Sequence, residues 1–277
     1  MWLPIINKTL GEYPQFNGIK NGEKGLDTCI NFLILFKHIP KPILIYSMST
    51  FVNKIPFRAV VVGGSGLTGR ALVNQLIEST FCSELYSLVR KRFPPPHDKM
   101  RQMVVTDYSD TEQLRHILEG FDVMFCTIGT TKEKVNNDLA QYRAIDVDIP
   151  VYAAKAALAE GTQTLVVVSS VGANANSSNF YLKIKGEVEK ALSDIPMQRI
   201  VFMRPSVLLD ERSEKRKGEI FLQSVMAILK PILIGKLSRY RPIRAHELAA
   251  AMIEAAKGSE PGRFVWHWSE MNKAIHK

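Results

Sequence analysis

Length, composition and charge narrow the possible classes of structure before any motif is considered. The chain has 277 residues, 46% hydrophobic and 23% charged, which is enough to bury a full core in one α/β domain. Its formal net charge of +9 favours anionic partners. The sequence nevertheless has no zinc-ligand spacing, arginine-rich tract or aromatic RNA-binding motif, so we expect no nucleic-acid partner. Three widely spaced cysteines indicate neither a disulfide framework nor a metal site, and favour a reducing compartment.

The first 47 residues differ in character from the rest of the chain. Their densest apolar run, Cys29–Phe36, is too short to span a bilayer, so we expect no transmembrane segment. The segment contains no arginine, whereas mitochondrial presequences are rich in it, and it lacks the features of a secretory signal. We expect residues 1–47 to be an extension, disordered or targeting, and residues 48–277 to form the folded domain. The expected location is cytoplasmic, with a mitochondrial location as the alternative.

Short apolar, β-branched runs alternate with segments of helical periodicity along the rest of the chain. This alternation predicts a doubly wound parallel sheet, a Rossmann fold, in a single domain. Segments after Arg204 are expected to cover the carboxyl edge of the sheet, where ligands bind in such folds. The predicted strands are Phe57–Val62, Glu84–Val89, Gln102–Thr106, Val123–Ile128, Thr164–Val168, Ile200–Met203 and Arg263–Trp268. The predicted helices are Ala71–Ile77, Thr111–Leu118, Leu139–Ala159, Phe221–Leu229 and Ala245–Ala256.

A glycine-rich turn connects the first predicted strand to the first predicted helix. Its glycines Gly63, Gly66 and Gly69 are spaced as in dinucleotide-binding turns. Such glycines allow a tight turn, close approach of the backbone to a pyrophosphate and close packing of the helix on the sheet. The phosphates then lie at the helix amino terminus, which favours anions. The alternative is an ordinary glycine-rich turn, but its position after the first strand favours the cofactor site.

The residues after the second predicted strand indicate which cofactor is bound. Many NAD-dependent enzymes place a carboxylate about twenty residues beyond the glycine turn, where it binds the ribose 2′-hydroxyl. Here that place is basic, with Arg90 and Lys91 suited to the 2′-phosphate of NADP(H). The alternative is a solvated charge run ahead of the prolines at 94–96.

A tyrosine, a lysine and a serine form the candidate catalytic group. Tyr181 and Lys185 are four residues apart and so lie on one face of a helix, where the ammonium favours proton exchange by the phenol. Ser169 and Ser170 end the fifth strand at the cofactor edge, where a hydroxyl can polarise a substrate carbonyl. The alternative is an amphipathic helix whose lysines are only solvated.

Together these motifs resemble the short-chain dehydrogenase/reductase superfamily, and within it the atypical, Tat-interactive oxidoreductase-like branch. The resemblance extends from about Phe57 to the carboxyl end. It is carried by Gly-Gly-Ser-Gly-Leu-Thr-Gly-Arg70, Val-Arg-Lys-Arg92, Phe-Cys-Thr-Ile-Gly-Thr-Thr131, Val-Ser-Ser-Val-Gly-Ala173, Ser-Asn-Phe-Tyr-Leu-Lys-Ile-Lys-Gly-Glu-Val-Glu189, Met-Arg-Pro-Ser-Val-Leu-Leu209 and Tyr-Arg-Pro-Ile243. The motif ending at Glu189 is the most specific of these.

The resemblance implies a role for each candidate residue. Tyr181 would exchange the proton, Lys185 would hold the nicotinamide ribose, and Ser170 would assist, with Ser169 as its rival. The remaining cofactor contacts that the resemblance implies are Ser65, Gly66, Leu67 and Thr68 at the phosphates, Arg90 and Lys91 at the 2′-phosphate, Asp107 near the adenine, Ile128 and Gly129 near the ribose, and Leu208 and Arg216 on the far side. One departure is Asp146, which stands where many superfamily members have asparagine.

The function expected from this resemblance is NADP(H)-dependent reduction of a small-molecule carbonyl. The alternative is an NADPH-binding regulatory or interaction protein with protein partners and little or no turnover, because several members of this branch act in that way. The expected assembly is a monomer or a homodimer. Fold analogy alone does not choose between the two functions.

Overall fold

The computed structural model describes residues 56–93, 97–209 and 233–276. The predicted extension 1–47, the predicted helix Phe221–Leu229 and the expected cofactor contact Arg216 lie outside these ranges. Within them the chain forms seven strands: β1 (Phe57–Val62), β2 (Cys82–Val89), β3 (Met100–Val104), β4 (Val123–Cys126), β5 (Thr164–Val168), β6 (Arg199–Met203) and β7 (Gly262–Trp266). The helices are α1 (Leu67–Glu78), α2 (Thr111–Leu118), α3 (Leu139–Arg143), α4 (Ile149–Ala159), α5 (Phe180–Ser193), α6 (Ala245–Ala256) and α7 (Trp268–Ile275).

The seven strands form one parallel sheet in the order β3-β2-β1-β4-β5-β6-β7. This order confirms the predicted doubly wound fold. The chain leaves β1 towards β2 on one side and returns to pair β4 on the other side, so the strand order reverses at β1. Folds of this kind bind ligands in the crevice at such a reversal, outside the carboxyl ends of the strands.

Two hydrophobic clusters cover the two faces of the sheet. Successive residues of β1 alternate between them: Val60 and Val62 belong to one cluster, whereas Ala59 and Val61 belong to the other. Helices α2, α4 and α5 complete the first cluster, and α1, α6 and α7 complete the second. Burial on both faces explains why the central strands are almost continuously apolar. None of the helices in the described ranges is long and apolar enough to cross a membrane.

The predicted helix Leu139–Ala159 is interrupted, which corrects the sequence interpretation. The segment forms α3, a π-helical turn over Ala144–Asp148, and then α4. Pro150 accounts for the wider turn, because proline has no N–H to donate to the Asp146 carbonyl and its ring would clash with that group in an α-helix. Single π turns of this kind are frequent at functional sites.

The last predicted strand ends earlier than expected. Strand β7 stops at Trp266, and Trp268 instead begins α7, which the sequence did not predict. Glu270 accepts a hydrogen bond from the His267 backbone N–H at 2.9 Å, which fixes the start of this helix. Helix α7 therefore packs Met271 into the second cluster rather than adding to the sheet.

Candidate cofactor and active site

The glycine turn between β1 and α1 has the geometry of an anion cradle. Gly63 has φ +92°, and a Cβ there would lie 2.9 Å from the Ile128 backbone nitrogen. A Cβ on Gly69 would lie 2.8 Å from the Gly64 Cα and closer still to the Gly63 carbonyl oxygen. Among the residues that the structure describes, no side chain caps the first turn of α1, which begins after Gly66, and this turn contains no acidic residue. These N–H groups suit a pyrophosphate, so the residues present fit a dinucleotide.

Substituting Gly69 with alanine should therefore damage both stability and cofactor binding. The added methyl would lie within 2.8 Å of the Gly63 and Gly64 backbone and of the Thr127 hydroxyl oxygen, so the helix must move away from the turn. We expect a loss of about 1–3 kcal/mol of unfolding free energy, measured by denaturant titration, and weaker NADPH binding.

Gly66→Ala is the matched control for the loss of stability. The new Cβ at position 66 would lie 3.4 Å from the Gly63 carbonyl oxygen, and φ there is −73°, so alanine is accommodated without a clash. Its stability should fall less than that of Gly69→Ala. Equal stability of wild type and Gly69→Ala would contradict this description of the turn.

The end of β4 brings the glycine turn and Lys185 into one site. Thr127 donates from Oγ1 to the Gly63 carbonyl oxygen at 3.0 Å, and Ile128 lies against Gly63. On the next residue, a Cβ at Gly129 would lie 3.8 Å from Lys185 Nζ. The expected ribose contacts Ile128 and Gly129 thus lie between the expected phosphate cradle and the expected catalytic lysine.

Lys185 forms a buried ion pair with Asp146. Its Nζ lies 3.0 Å from Asp146 Oδ2, and both side chains are almost inaccessible to solvent. The other carboxylate oxygen, Oδ1, accepts a hydrogen bond from the Thr130 N–H at 2.7 Å. Burial opposes the charged ammonium, but the Asp146 carboxylate and Tyr181 outweigh it and raise the pKa of Lys185 above its usual value. The lysine is therefore a fixed cation at the crevice.

Tyr181 is open to solvent above this pair. Its side chain is 43% exposed, and Lys185 Nζ lies 6.0 Å from the centre of its ring. The neighbouring Phe180 packs edge-on against Tyr142 at a centroid distance of 5.2 Å, and Tyr142 donates to the Thr130 carbonyl oxygen at 3.2 Å. The start of α5 is thus anchored to the loop after β4, while the phenol stays accessible to a ligand.

The two serines after β5 have different partners. Ser169 Oγ donates to Glu189, and Glu189 is held by Arg204 through Nε at 2.9 Å and Nη2 at 2.5 Å. Among the described residues, Ser170 Oγ has a single hydrogen bond, a long one of 3.3 Å to the Val171 carbonyl oxygen. Ser169 is therefore held in a buried network with Glu189 and Arg204, whereas Ser170 has the weaker hydrogen bond, and the catalytic role expected for Ser170 stays a prediction. Arg204, which follows β6 directly, anchors this network through Glu189.

Arg90 and Lys91 follow β2 directly and are exposed to solvent. The charge of Arg90 acts on Tyr108, whose pKa is nevertheless raised by burial. Asp107, beside it, accepts hydrogen bonds from the Ser109 N–H at 2.8 Å and hydroxyl at 2.7 Å, which lower the pKa of its carboxyl. The basic residues and Asp107 thus border the same end of the crevice.

Arg70 is a further cation at this end that the sequence interpretation did not single out. It donates from Nε to the Ser65 carbonyl oxygen at 3.0 Å, and its guanidinium lies 5.9 Å from the centre of the Phe93 ring. It therefore bridges the glycine turn and the loop that follows Arg90 and Lys91. Its position after the last glycine of the turn was the available signal.

Leu208 lies in the segment that follows β6, where it forms an isolated parallel bridge with Ile243. It packs against the second hydrophobic cluster and is half-buried. Its expected role at the far side of the cofactor stays a prediction.

Comparison with known proteins identifies the family of this chain. A family model described as NAD(P)H-binding matches residues 63–224, which include the glycine turn, Lys185 and both serines. The chain belongs to this NAD(P)H-binding family. The protein FMP52, mitochondrial, of Eremothecium gossypii is 36% identical over 65% of this chain and 75% of its own length. The protein HTATIP2 of Rattus norvegicus is 32% identical over 57% of this chain and 69% of its own length. The resemblance to the atypical short-chain dehydrogenases is thereby confirmed.

Solved structures related to this NAD(P)H-binding protein share its fold. A UDP-N-acetylglucosamine 4-epimerase from Methanobrevibacter ruminantium superposes with a TM-score of 0.58 over 77% of each chain, at 17% identity. The Bordetella bronchiseptica enzyme WbmG, solved in complex with NAD, superposes with a TM-score of 0.57 over 76% of this chain and 73% of its own, at 15% identity. At these identities the likeness concerns the fold alone.

Proposed function

We propose that this protein is an NADP(H)-dependent oxidoreductase that reduces a small-molecule carbonyl compound. The observation that carries the proposal is the position of Lys185. The buried ammonium lies beside Gly129 at the crevice between β1 and β4. The exposed phenol of Tyr181 lies one helical turn earlier on α5. A fixed cation, an accessible proton donor and a dinucleotide cradle at one sheet edge suit carbonyl reduction.

Each side chain has a separate task in this mechanism. When bound, the nicotinamide supplies the hydride. Lys185 would hold the ribose hydroxyls of a bound dinucleotide with its ammonium, and its charge favours negative charge on the neighbouring phenol. Ser170 donates a hydrogen bond to the substrate carbonyl and so polarises it. Tyr181 donates a proton to the oxygen on which charge develops, and the exposure of its ring lets that proton be replaced from solvent.

Arg90 and Lys91 support the choice of NADP(H). Both side chains are exposed, and neither forms an ion pair with a carboxylate among the described residues. Two uncompensated cations at the carboxyl end of β2 suit a 2′-phosphate better than a hydroxyl. Arg70, held between the glycine turn and this loop, adds to the positive charge there.

A screen of carbonyl compounds that follows NADPH oxidation tests this function. The proposal predicts turnover of at least one class of aldehyde or ketone. Tight NADPH binding without turnover of any compound, together with protein partners that co-purify, would instead support the NADPH-binding interaction protein.

The relatives also bear on location. Several are named mitochondrial, among them FMP52 of Eremothecium gossypii and of Candida glabrata, so we propose the mitochondrial location in place of the cytoplasmic one. Import of the full chain into isolated mitochondria, measured by protection from added protease, tests this. Complete digestion with intact mitochondria would contradict it.

A further inference from the structure

Asp146 contacts both Lys185 and the loop after β4 in the candidate site, which its residue type alone did not predict. It lies in the π-helical turn Ala144–Asp148, is 1% exposed, and uses both carboxylate oxygens. Oδ2 lies 3.0 Å from Lys185 Nζ, and Oδ1 accepts from the Thr130 N–H at 2.7 Å. The carboxylate therefore joins the lysine to the loop that carries Gly129.

We propose that Asp146 is a positioning residue that keeps the buried Lys185 amine protonated and holds it at the cofactor crevice. The inference deepens the proposed function and rests on it, because a fixed cation at this place matters only if a dinucleotide binds there. An ammonium removed from water loses its proton readily unless an opposite charge compensates for the lost solvation.

Asp146 supplies the only full negative charge in contact with Lys185 among the described residues. The other titratable groups that face the lysine are Tyr181 on its own helix and Cys126 at the end of β4. Burial raises the pKa of the Cys126 thiol to about 11, so this group is neutral at physiological pH. Tyr142 of α3 faces Asp146 and Tyr181, and burial raises its pKa as well, so it is also neutral.

Removal of the Asp146 charge should therefore leave Lys185 with an uncompensated cost of burial. Since the pKa of Lys185 is raised by this partner and lowered by burial, Asp146→Asn should move the loss of its proton to lower pH. Asparagine still offers Oδ1 to the Thr130 N–H, so the backbone of the loop can keep its place.

The direct test is an NMR titration of Lys185, which needs no ligand. The ¹³Cε resonance of Lys185 in labelled protein is identified by its loss in Lys185→Met. We expect the wild-type resonance to stay in its protonated position from about pH 7 to about pH 9, below the range in which exposed lysines titrate. In Asp146→Asn it should titrate within that interval. A resonance that stays protonated in the variant would overturn the proposal.

Cofactor affinity is the second readout in the same variants. NADPH should bind Asp146→Asn about tenfold more weakly at pH 9 than at pH 7, whereas wild-type affinity should change by less than about threefold, because only the variant loses the cation. The matched control is Asp148→Asn, which removes the same charge from the same π turn. Asp148 pairs with Arg143 at 2.8 Å at the surface, so this control should behave as wild type.

The outcomes separate this inference from the proposed function. If Lys185 loses its proton between about pH 7 and about pH 9 in Asp146→Asn, the inference is supported, whether or not wild type binds NADPH. A wild type that binds no NADPH would count against the proposed function. If wild type turns over substrate, and Asp146→Asn matches it in both Lys185 titration and NADPH affinity, the inference is overturned while the proposed function stands. If Asp146→Asn does not fold, as judged by thermal melting, the smaller Asp146→Ser removes the same charge and takes its place.

Discussion

Replacing Tyr181 with phenylalanine should lower the rate of carbonyl reduction by about 100-fold or more, the usual loss when a general acid is removed. The phenol is 43% exposed and has no side-chain hydrogen bond among the described residues, so its loss should leave the fold intact. Lys185 and the glycine turn remain, so NADPH affinity should change little. Steady-state rates and NADPH titrations on the same samples measure both effects.

Tyr152→Phe is the control for the Tyr181 variant. Tyr152 lies on α4, and its exposure of 38% is similar. This variant should turn over substrate at the wild-type rate. If Tyr181→Phe kept full activity, the proton would have to come from another group, and the roles assigned on α5 would be wrong.

NADPH should bind about 10- to 1000-fold more tightly than NADH. A charge-assisted hydrogen bond contributes about 1.5–3 kcal/mol, and the 2′-phosphate can accept one or two from Arg90 and Lys91. Both residues are exposed, so screening by water and salt places the expected preference toward the lower end of this range. Titration of wild type with each cofactor at fixed ionic strength measures it.

Arg90→Ala should lose most of this preference by weakening NADPH binding while NADH binding stays nearly unchanged. Lys155→Ala is the matched control, since it removes one exposed positive charge from α4 on another part of the surface. The control should keep the wild-type ratio of affinities. Equal wild-type affinities for the two cofactors, or a full NADPH preference in Arg90→Ala, would defeat the assignment.

Elements defined by local sequence were predicted well. Strands β1 and β5 have the predicted bounds because their largely apolar, β-branched residues lie between turn residues. Helix α6 likewise matches because its apolar residues repeat at helical spacing up to Lys257. The division of Leu139–Ala159 was missed because its periodicity continues through the π turn, and only Pro150 marked the interruption.

The candidate site also combines features that depend on local sequence with contacts between distant residues. The glycine turn and the Tyr181–Lys185 pair could be recognised because each depends on spacing within one helix or turn. The ion pair of Asp146 with Lys185 and the network of Ser169, Glu189 and Arg204 could not, because their partners meet only when separate elements pack together. Sequence spacing does not determine which distant charges become neighbours, so the different partners of Ser169 and Ser170 could be seen only in the structure.

Transfer of deuterium from labelled NADPH tests most directly whether this crevice performs chemistry. In the experiment, NADPH with deuterium at the transferable position of the nicotinamide is incubated with the enzyme and a set of carbonyl compounds, and the products are analysed by mass spectrometry. Wild type should form an alcohol with deuterium on the former carbonyl carbon, and Tyr181→Phe should form almost none. Tight binding of labelled NADPH without deuterium in any product would show that the crevice binds the cofactor without performing this chemistry.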